Sequence, residues 1–256
     1  MMHVMLIQLA IIVIYMTLWF LVARTMSRFD IADIAWGPGF MISALAAAAV
    51  SENLNPRAYL VMAVVIIWGV RLSLHVYLRN RVKGEDERYR AWRQEWGRNA
   101  NIRAYFQVFL LQGLLLLVIA LPVTSVIMAD SSPWTMLDAA GLLIWTMGFL
   151  FEVIGDWQLL RFKQDAAHKG RIIMRGLWRY SRHPNYFGEV TLWWGIYLIA
   201  LAAGAAWPVI IGPLAITFLI LRVSGIPMLE KKYEGNPEFE KYRQQTSAFF
   251  PLPPKT

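Results

Sequence analysis

One stretch decides the fold of this chain: Gly176-Leu-Trp-Arg-Tyr-Ser-Arg-His-Pro-Asn-Tyr-Phe-Gly-Glu-Val-Thr-Leu-Trp-Trp-Gly195. Its first half is polar and basic, and its second half is apolar and aromatic. Pro184 marks the change and predicts the start of a helix, because proline in the first helical turn lacks only an N–H that would have had no partner. Glu189 then lies more than one turn inside an apolar helix, where a carboxylate is costly without a partner. Glu189 is therefore the strongest single indication of a functional site.

The composition is that of a membrane protein. Of the 256 residues, 57% are hydrophobic and 16% are charged, whereas a soluble domain has about 25% charged residues. The chain contains no cysteine, which excludes disulfides and cysteine-ligated metals. Its four histidines lack the spacing of metal ligands, so we expect no metal site. We attribute the net charge of +8 to cytoplasmic loops, and we expect no nucleic-acid partner.

Seven hydrophobic runs predict seven transmembrane helices. Five of them are as long as a bilayer-spanning helix, which needs about 17–25 residues, and two are weaker. The longer runs cover residues 4–23, 58–78, 104–128, 134–155 and 206–226, and the weaker ones cover residues 34–50 and 186–204. We therefore predict an all-α polytopic membrane protein of a single domain, residues 1–256, with its seven helices in one bundle.

Lysine and arginine are concentrated in alternate connections of this predicted bundle. Residues 79–103, 161–182 and 228–256 are rich in basic side chains, whereas the connections near residues 129–133 and 203–207 contain none. Because basic loops stay in the cytoplasm, the pattern predicts an N-terminus outside and a C-terminus inside. We expect an integral multi-pass protein of a bacterial inner membrane, and the last of these basic segments is its cytoplasmic tail.

Polar side chains at the end of the fifth predicted helix and the start of the sixth are expected to lie together. Glu152, Asp156 and Lys163 fall near one face of the fifth helix, while Asn185 and Glu189 share a face of the sixth. Carboxylates hold ribose hydroxyls or amides, and arginines bind phosphates in a bidentate manner. Because several arginines lie between the two helices, the region suits a nucleotide with several phosphates. Each arginine taken alone is more simply explained as positive-inside charge, and Lys163 as part of a solvated helix end.

The second and third predicted helices carry further polar candidates. Arg71 and His75 lie one turn apart near the end of the third helix, and Asp33 opens the second helix ahead of a Gly-Pro-Gly cluster. Asp33 is alternatively an N-terminal cap, and the segment that follows the third helix offers structural salt bridges on an interfacial helix, formed by Asp86, Arg88 and Tyr89. No G-x-G-x-x-G motif follows a strand, so a nucleotide is not expected to bind through a Rossmann fold.

The segment from Glu152 to Trp194 resembles the C-terminal half of the membrane steroid 5α-reductase family, and in particular its bacterial members of formerly unknown function. The resemblance is carried by Asp156, Lys163, Arg171, Gly176, Leu177, Tyr180, Asn185, Gly188 and Glu189. In that family the corresponding positions hold NADPH between helices from the cytoplasmic side, which implies a cofactor region at residues 134–230 here. The implied cofactor-binding residues are Arg71, His75, Arg79, Asn80, Arg81, Glu152, Asp156, Lys163, Arg171, Tyr180, His183, Asn185, Glu189, Arg222 and Glu230.

The N-terminal half departs from the family where its members bind substrate. Steroid reductases use a glutamate on helix 2 and a tyrosine on helix 3 to hold the substrate ketone, and Phe40 and Trp68 stand near those positions here. Asp33 and Tyr77 are the substitutes that the sequence offers. Together with the aromatic residues Trp36 and Trp68, they are our predicted residues at the reacting substrate.

The resemblance implies NADPH-dependent reduction of the C4–C5 double bond of a 3-oxo-4-ene steroid or a similar enone lipid. A flat hydrophobic substrate of this kind enters from the membrane lipid, which explains why such a reductase is embedded in a membrane. We expect the protein to act as a monomer, with its cofactor site facing the cytoplasm.

A second family competes for the same motif. Residues 182–189, Arg-His-Pro-Asn-Tyr-Phe-Gly-Glu, also resemble the RHPxYxG signature of membrane methyltransferases that act on isoprenylcysteine or phospholipid. Those enzymes bind S-adenosylmethionine, which carries no phosphate, so the many basic positions favour NADPH. A transport or scaffold role without catalysis is a third alternative, and it would be favoured if the purified protein bound neither cofactor.

Overall fold

The computed structural model of the protein describes residues 1–81 and 84–255. Helices make up 78% of the residues that the structure describes. No strand forms among the described residues, where Ser181 and Ser247 make an isolated parallel bridge. The prediction of an all-α chain is confirmed.

Twelve α-helices follow one another along the described residues. They are α1 (Met2–Met26), α2 (Ala32–Ala49), α3 (Pro56–Asn80), α4 (Glu87–Trp96), α5 (Ala100–Ala104), α6 (Leu111–Ile119), α7 (Leu121–Ile127), α8 (Met136–Gln164), α9 (Pro184–Ala202), α10 (Ile211–Phe218), α11 (Ile226–Lys231) and α12 (Pro237–Gln245). A π-helical segment, Tyr105–Leu110, joins α5 to α6, and a second one, Leu219–Val223, follows α10.

Six helical segments are long and apolar enough to cross a membrane, counted over the part of the chain that the structure describes. They are Met2–Met26, Phe29–Ala49, Pro56–Asn80, Glu87–Ile119, Met136–Gln164 and Trp207–Lys231. These helices make the chain an integral multi-pass membrane protein. α9 forms over the sixth predicted run, residues 186–204, but is not among these six segments, since it carries Asn185, Glu189 and several aromatic side chains with polar atoms. The number of seven spans and the orientation of the termini stay predictions.

The chain divides into two compact units. The first consists of Met1–Pro133 and Ala203–Ile211, and the second of Trp134–Ala202 and Gly212–Thr256. The second unit therefore begins where the predicted cofactor region begins, at residue 134. The prediction of a single functional domain is not tested by this division.

In the first unit, α2 crosses α3 at a pair of glycines. A Cβ on Gly37 or on Gly69 would lie within 3 Å of the other residue's carbonyl oxygen, so the two backbones touch. Small residues permit this approach between membrane helices. One turn away, the Ser73 hydroxyl donates a hydrogen bond to the carbonyl oxygen of Ile34 at 3.2 Å. The start of α2, with Asp33, is thus held against the last turns of α3.

In the second unit, α8 and α9 pack backbone against backbone along a glycine ladder. Its members stand at seven-residue intervals on each helix: Gly141, Gly148 and Gly155 on α8, and Gly188 and Gly195 on α9. A Cβ on Gly148 or Gly188 would lie within 3 Å of backbone atoms of the facing helix. The ladder determines which face of α8 meets α9, and it sets Asp156 beside Asn185.

Candidate functional site

The second unit holds a carboxylate–amide pair where α8 faces the first turn of α9. Pro184 starts α9 and lies against Gly155 of α8. The residues that follow them, Asn185 on α9 and Asp156 on α8, are therefore neighbours. Asn185 Nδ2 donates a 3.0 Å hydrogen bond to Asp156 Oδ1. The Asn185 Oδ1 atom is buried and has no hydrogen-bond partner among the described protein atoms. An unsatisfied buried acceptor costs about 1–3 kcal/mol, so this atom indicates a place for a ligand's N–H or O–H group.

Two further carboxylates flank this pair. Glu152 lies one turn before Asp156 on α8 and is buried, with 2% of its surface exposed. Glu189 lies one turn after Asn185 on α9 and is half-buried. The hydrogen bond between Asp156 and Asn185 shows that these two groups lie together, as expected, while the role of all four groups as cofactor ligands stays a prediction.

A turn at Gly176 covers this end of α8. Gly176 has a φ of 63°, a left-handed conformation that suits glycine. The Leu177 N–H donates to Gln158 Oε1 at 2.9 Å, and the Trp178 indole N–H donates to the Gly155 carbonyl oxygen at 3.1 Å. Sequence reasoning did not single out Gln158 or Trp178, although an apolar tryptophan beside a glycine turn is a signal for such a contact.

The Arg182-His183 dipeptide binds the C-terminal tail. Arg182 donates to both carboxylate oxygens of Glu230, at 2.8 and 3.1 Å, and to the Thr246 carbonyl oxygen at 2.5 Å. His183 Nε2 lies 2.9 Å from Glu230 Oε1. Two predicted cofactor ligands, His183 and Glu230, are therefore in contact with each other. Arg182, which was not predicted as a site residue, is the centre of this contact.

Further tail contacts hold the same turn. The Ser181 hydroxyl donates to the Phe249 carbonyl oxygen at 2.8 Å, and the Tyr242 hydroxyl donates to the Trp178 carbonyl oxygen. Burial raises the pKa of Tyr242 above its ordinary value, which keeps its hydroxyl a neutral donor. The tail is thus a packed part of the second unit.

The basic and aromatic candidates of the second unit lie at its surface. Lys163, Arg171, Tyr180 and Arg222 are exposed, as is Arg175. The Arg175 guanidinium lies 5.5 Å from the Phe162 ring, which stacks on His168 at 4.3 Å. These side chains are accessible to an anionic ligand.

The first unit holds a separate carboxylate–phenol pair. The Tyr89 hydroxyl donates a 2.6 Å hydrogen bond to Asp33 Oδ1, and Arg88 Nη2 donates to Asp33 Oδ2 at 3.3 Å. Gln112 Nε2 donates to the Tyr89 oxygen at 3.4 Å. Asp33 makes no capping hydrogen bond at the start of α2, so the alternative reading of it as an N-cap is wrong.

Arg88 also holds Asp86, which caps α4. Its backbone N–H and its Nε both donate to Asp86 Oδ1 at 3.0 Å. Burial works to raise the pKa of Asp86, but the hydrogen bonds and charge of Arg88 outweigh it and hold that pKa below its ordinary value. The reading of Asp86 and Arg88 as a salt bridge is confirmed.

Two of the other predicted catalytic residues, Trp36 and Trp68, form an aromatic row with Phe40 on α2 and α3. Trp36 packs edge-on against Phe40, and Phe40 packs edge-on against Trp68, each at 5.3 Å between ring centroids. Tyr77 is half exposed, and the tyrosine that contacts Asp33 is Tyr89. Phe40 and Trp68, which the sequence-based reading placed near the ketone-binding positions of steroid reductases, are thus in contact as an apolar pair.

The predicted cofactor residues of α3 lie near its C-terminal end. Arg71 and His75 are half-buried, and Arg81 is exposed. Arg79 Nε donates to Asn80 Oδ1 at 3.1 Å, while the Asn80 Nδ2 atom is buried without a partner among the described atoms. These five predicted residues belong to the first unit and the other ten to the second.

Comparison with known proteins assigns the chain to a family. Residues 19–246 match the family described as "Protein of unknown function (DUF1295)". The chain belongs to DUF1295. This is a family of steroid 5α-reductase-like proteins, which confirms the predicted resemblance at that level.

One curated relative is the uncharacterized protein C594.04c of Schizosaccharomyces pombe (strain 972 / ATCC 24843). It is 26% identical to this DUF1295 protein over 235 residues, which cover 78% of the present chain. The present chain spans 65% of the length of that relative. No solved structure matches the chain.

Proposed function

We propose that this DUF1295 protein binds NADPH and reduces the carbon–carbon double bond of an enone lipid, such as the C4–C5 bond of a 3-oxo-4-ene steroid. The observation that carries the proposal is the buried, unpartnered Asn185 Oδ1 atom beside Asp156. A nicotinamide carboxamide N–H or a ribose hydroxyl is a suitable donor to that oxygen. The neighbouring carboxylates Glu152 and Glu189 can accept from further ribose hydroxyls.

The charges of the second unit support a cofactor with phosphates. Lys163, Arg171 and Arg175 are exposed basic side chains in the same unit as the Asp156–Asn185 pair. A 2′-phosphate or a pyrophosphate binds such groups by charge-assisted hydrogen bonds. S-adenosylmethionine, the cofactor of the competing methyltransferase reading, has no phosphate and offers these cations only its single carboxylate.

Bound NADPH would supply the hydride, and the protein's part is to orient the substrate, exclude water and supply a proton. Trp36 is half-buried and ends an edge-to-face aromatic row whose other members, Phe40 and Trp68, are buried. Trp36 is therefore the member of this row that a hydrophobic substrate arriving from the lipid can contact. Within this proposal the protein works as a monomer in a bacterial inner membrane, with its cofactor site towards the cytoplasm, where NADPH is present.

Thermal unfolding of the purified protein tests the cofactor assignment, since a ligand stabilises only the state that binds it. At about 100 times its dissociation constant, NADPH should raise the melting temperature by on the order of 5–10 °C. Asn185→Ala should abolish this rise. The exposed Asn101→Ala is the matched control and should retain it.

Product analysis tests the reaction. Membranes that contain the protein, incubated with NADPH and progesterone or testosterone, should yield the saturated ketone. Stabilisation by S-adenosylmethionine but not by NADPH, together with methyl transfer to a lipid and no reduction of any enone, would replace this proposal with a methyltransferase. NADH that stabilises as well as NADPH would count against a 2′-phosphate site.

A further inference from the structure

At one end of the first unit, the last turns of α1 and α3 are tied together and to α4. Arg28, which follows α1, donates to the carbonyl oxygen of Asn80, the last residue of α3, at 3.4 Å. Arg93 of α4 donates to the carbonyl oxygen of Ser27, which directly follows α1, at 2.6 Å. Side chains on the last turns of α1 and α3 and on α4 therefore belong to the same end of this unit.

Most carboxylates of this end are taken up by ion pairs. Those that pair with an arginine, at distances from 2.7 to 3.3 Å, are Asp30, Asp33, Glu85 and Asp86. What remains is a set of exposed arginines that make no ion pair with another described residue and that we call the arginine surface: Arg24, Arg81, Arg90, Arg98 and Arg103. Glu87 and Glu95 are exposed beside it, so positive charge is in excess there.

The opposite end of the same unit has a different charge. Asn55, before α3, donates to the carbonyl oxygen of Ala129 at 2.7 Å, so the start of α3 and the residues after α7 lie together. Glu52 and Asp130 are exposed there. Arg57 is buried and donates to the carbonyl oxygens of residues 132 and 133. Exposed arginines without a partner thus gather at one end of the unit and not at the other.

The length of the helices indicates what this end meets. α1 and α3 have 25 residues each, which is about 37 Å at a rise of about 1.5 Å per residue. The hydrocarbon core of a bilayer is about 30 Å thick, so helices that cross it with this length end among the lipid headgroups. Arg24 lies in the last turn of α1, and Arg81 directly follows α3.

α4 adds aromatic side chains to the same region. It is a helix of ten residues that ends at Gly97, which has a φ of 49°. The rings of Trp92 and Trp96 are half-buried and stack at 5.8 Å, while Arg90 is exposed. Tryptophan is enriched at membrane–water interfaces, and helices that combine it with basic side chains lie in that interface.

We propose that the arginine surface binds the headgroups of anionic phospholipids. Guanidinium groups bind phosphate oxygens in a bidentate manner, and each arginine beside an anionic membrane strengthens association about fivefold. All five arginines are exposed and they come from separate segments, so they do not enclose a small soluble anion as a pocket would. This inference concerns the first unit alone and does not depend on the proposed reductase function.

Lipid retention by the purified full-length protein tests the proposal. Native mass spectrometry in detergent, with equal concentrations of dioleoylphosphatidylglycerol and dioleoylphosphatidylcholine, should show that the wild type retains mainly the anionic lipid. The triple variant Arg90→Gln, Arg98→Gln, Arg103→Gln should bind that lipid about 100-fold more weakly, at about fivefold for each arginine. Its binding of the zwitterionic lipid should change little. Arg81 is left in place because it is also a predicted cofactor residue.

A matched control removes the same charge from the second unit. The triple variant Lys231→Gln, Lys241→Gln, Lys255→Gln replaces exposed lysines and should retain the anionic lipid as the wild type does. Replacement of the same three arginines with lysine should preserve most of the preference, because the charge is kept. If the glutamine variant does not fold, Arg98→Gln alone, on the turn after α4, decides the matter with a loss of about fivefold.

The contrary results are distinct. Equal retention of both lipids by the wild type, or an equal loss in the arginine and lysine-to-glutamine variants, would overturn the proposal. Displacement of the anionic lipid by inorganic phosphate or NADPH at the same concentration would replace the lipid with a soluble anion and would also overturn it. A wild type that retains anionic lipid but neither binds NADPH nor reduces an enone would leave this inference in place while the proposed function fails.

Discussion

Replacing Arg182 with methionine should loosen the C-terminal tail of the second unit. The substitution removes both hydrogen bonds to the Glu230 carboxylate, at 2.8 and 3.1 Å. It also removes the hydrogen bonds to the carbonyl oxygens of Thr246, at 2.5 Å, and Arg243, at 3.2 Å. The methionine keeps most of the apolar volume, so the loss comes mainly from the guanidinium.

The size of the effect follows from burial. The side chains of Arg182 and Glu230 are 8% and 17% exposed, so the carboxylate left behind is largely removed from water. Breaking a buried ion pair by removing one partner costs about 3–5 kcal/mol. His183 remains beside Glu230 and eases this cost, so we expect about 3 kcal/mol, at the lower end of that range.

Hydrogen exchange of backbone amides measures this loss where it occurs. The Arg182 N–H donates to the Ser247 carbonyl oxygen, and the Leu252 N–H donates to the Tyr180 carbonyl oxygen. A loss of about 3 kcal/mol should speed exchange at Leu252 by on the order of 100-fold, because each 1.4 kcal/mol is about tenfold.

A matched control comes from the same region. Arg243 pairs with Glu240 at 3.4 Å, with side chains 55% and 40% exposed. Such surface pairs contribute about 0–1 kcal/mol, so Arg243→Met should leave exchange at Leu252 almost unchanged. If both substitutions had equal effects, or if Arg182→Met changed exchange less than about threefold, the reasoning from burial would be refuted.

Two further predictions concern packing and pH. Gly188→Ala should destabilise the protein by about 1–3 kcal/mol, because the added Cβ meets the backbone of α8, although alanine favours helices. The control is Gly84→Ala, whose added Cβ meets nothing within 4 Å and which should destabilise the protein by less than about 0.5 kcal/mol. An equal loss of stability at both sites would disprove the contact. The pKa of Asp86 is lower in the folded protein than in the unfolded chain, where it is about 3.9. Ionised Asp86 therefore stabilises the fold at pH values above its unfolded-state pKa. This contribution is lost as the pH falls from there through the folded-state pKa. The difference in melting temperature between wild type and Asp86→Asn, which keeps a capping side chain, should therefore narrow with falling pH, and a constant difference would contradict the assignment.

Features that depend on neighbouring residues in the chain could be predicted from the sequence. Pro184 starts α9 as predicted, because a proline restricts its own backbone whatever surrounds it. Asp156 and Asn185 were expected to share a region, since they end and begin consecutive antiparallel helices, and a 3.0 Å hydrogen bond joins them. Hydropathy likewise indicated where helices form, although it did not settle how many of them cross the membrane.

Contacts between distant residues were not predictable in the same way. Tyr89 and Asp33 are 56 residues apart, and Arg182 and Glu230 are 48 residues apart. Sequence reasoning named Tyr77 beside Asp33 as a residue at the substrate, whereas the tyrosine that contacts Asp33 is Tyr89, and both tyrosines lie near helix ends. Only the crossing of α2 with α3 and the fold of the segment before α4 decide which of them reaches the carboxylate.

Because the glycines of the ladder recur every seven residues, the packing of α8 against α9 depends on the number of residues between one glycine and the next. Each residue of an α-helix advances the side chains by about 100° around the axis. An insertion of one residue between Gly148 and Gly155 would therefore rotate Asp156 away from Asn185, or force a Cβ into the opposite backbone. An insertion of seven residues restores the face to within about 20°. Loops of this protein can change in length, whereas the stretch of α8 from Gly141 to Asp156 keeps its packing only if a change in length preserves the face and a change in composition spares the ladder glycines.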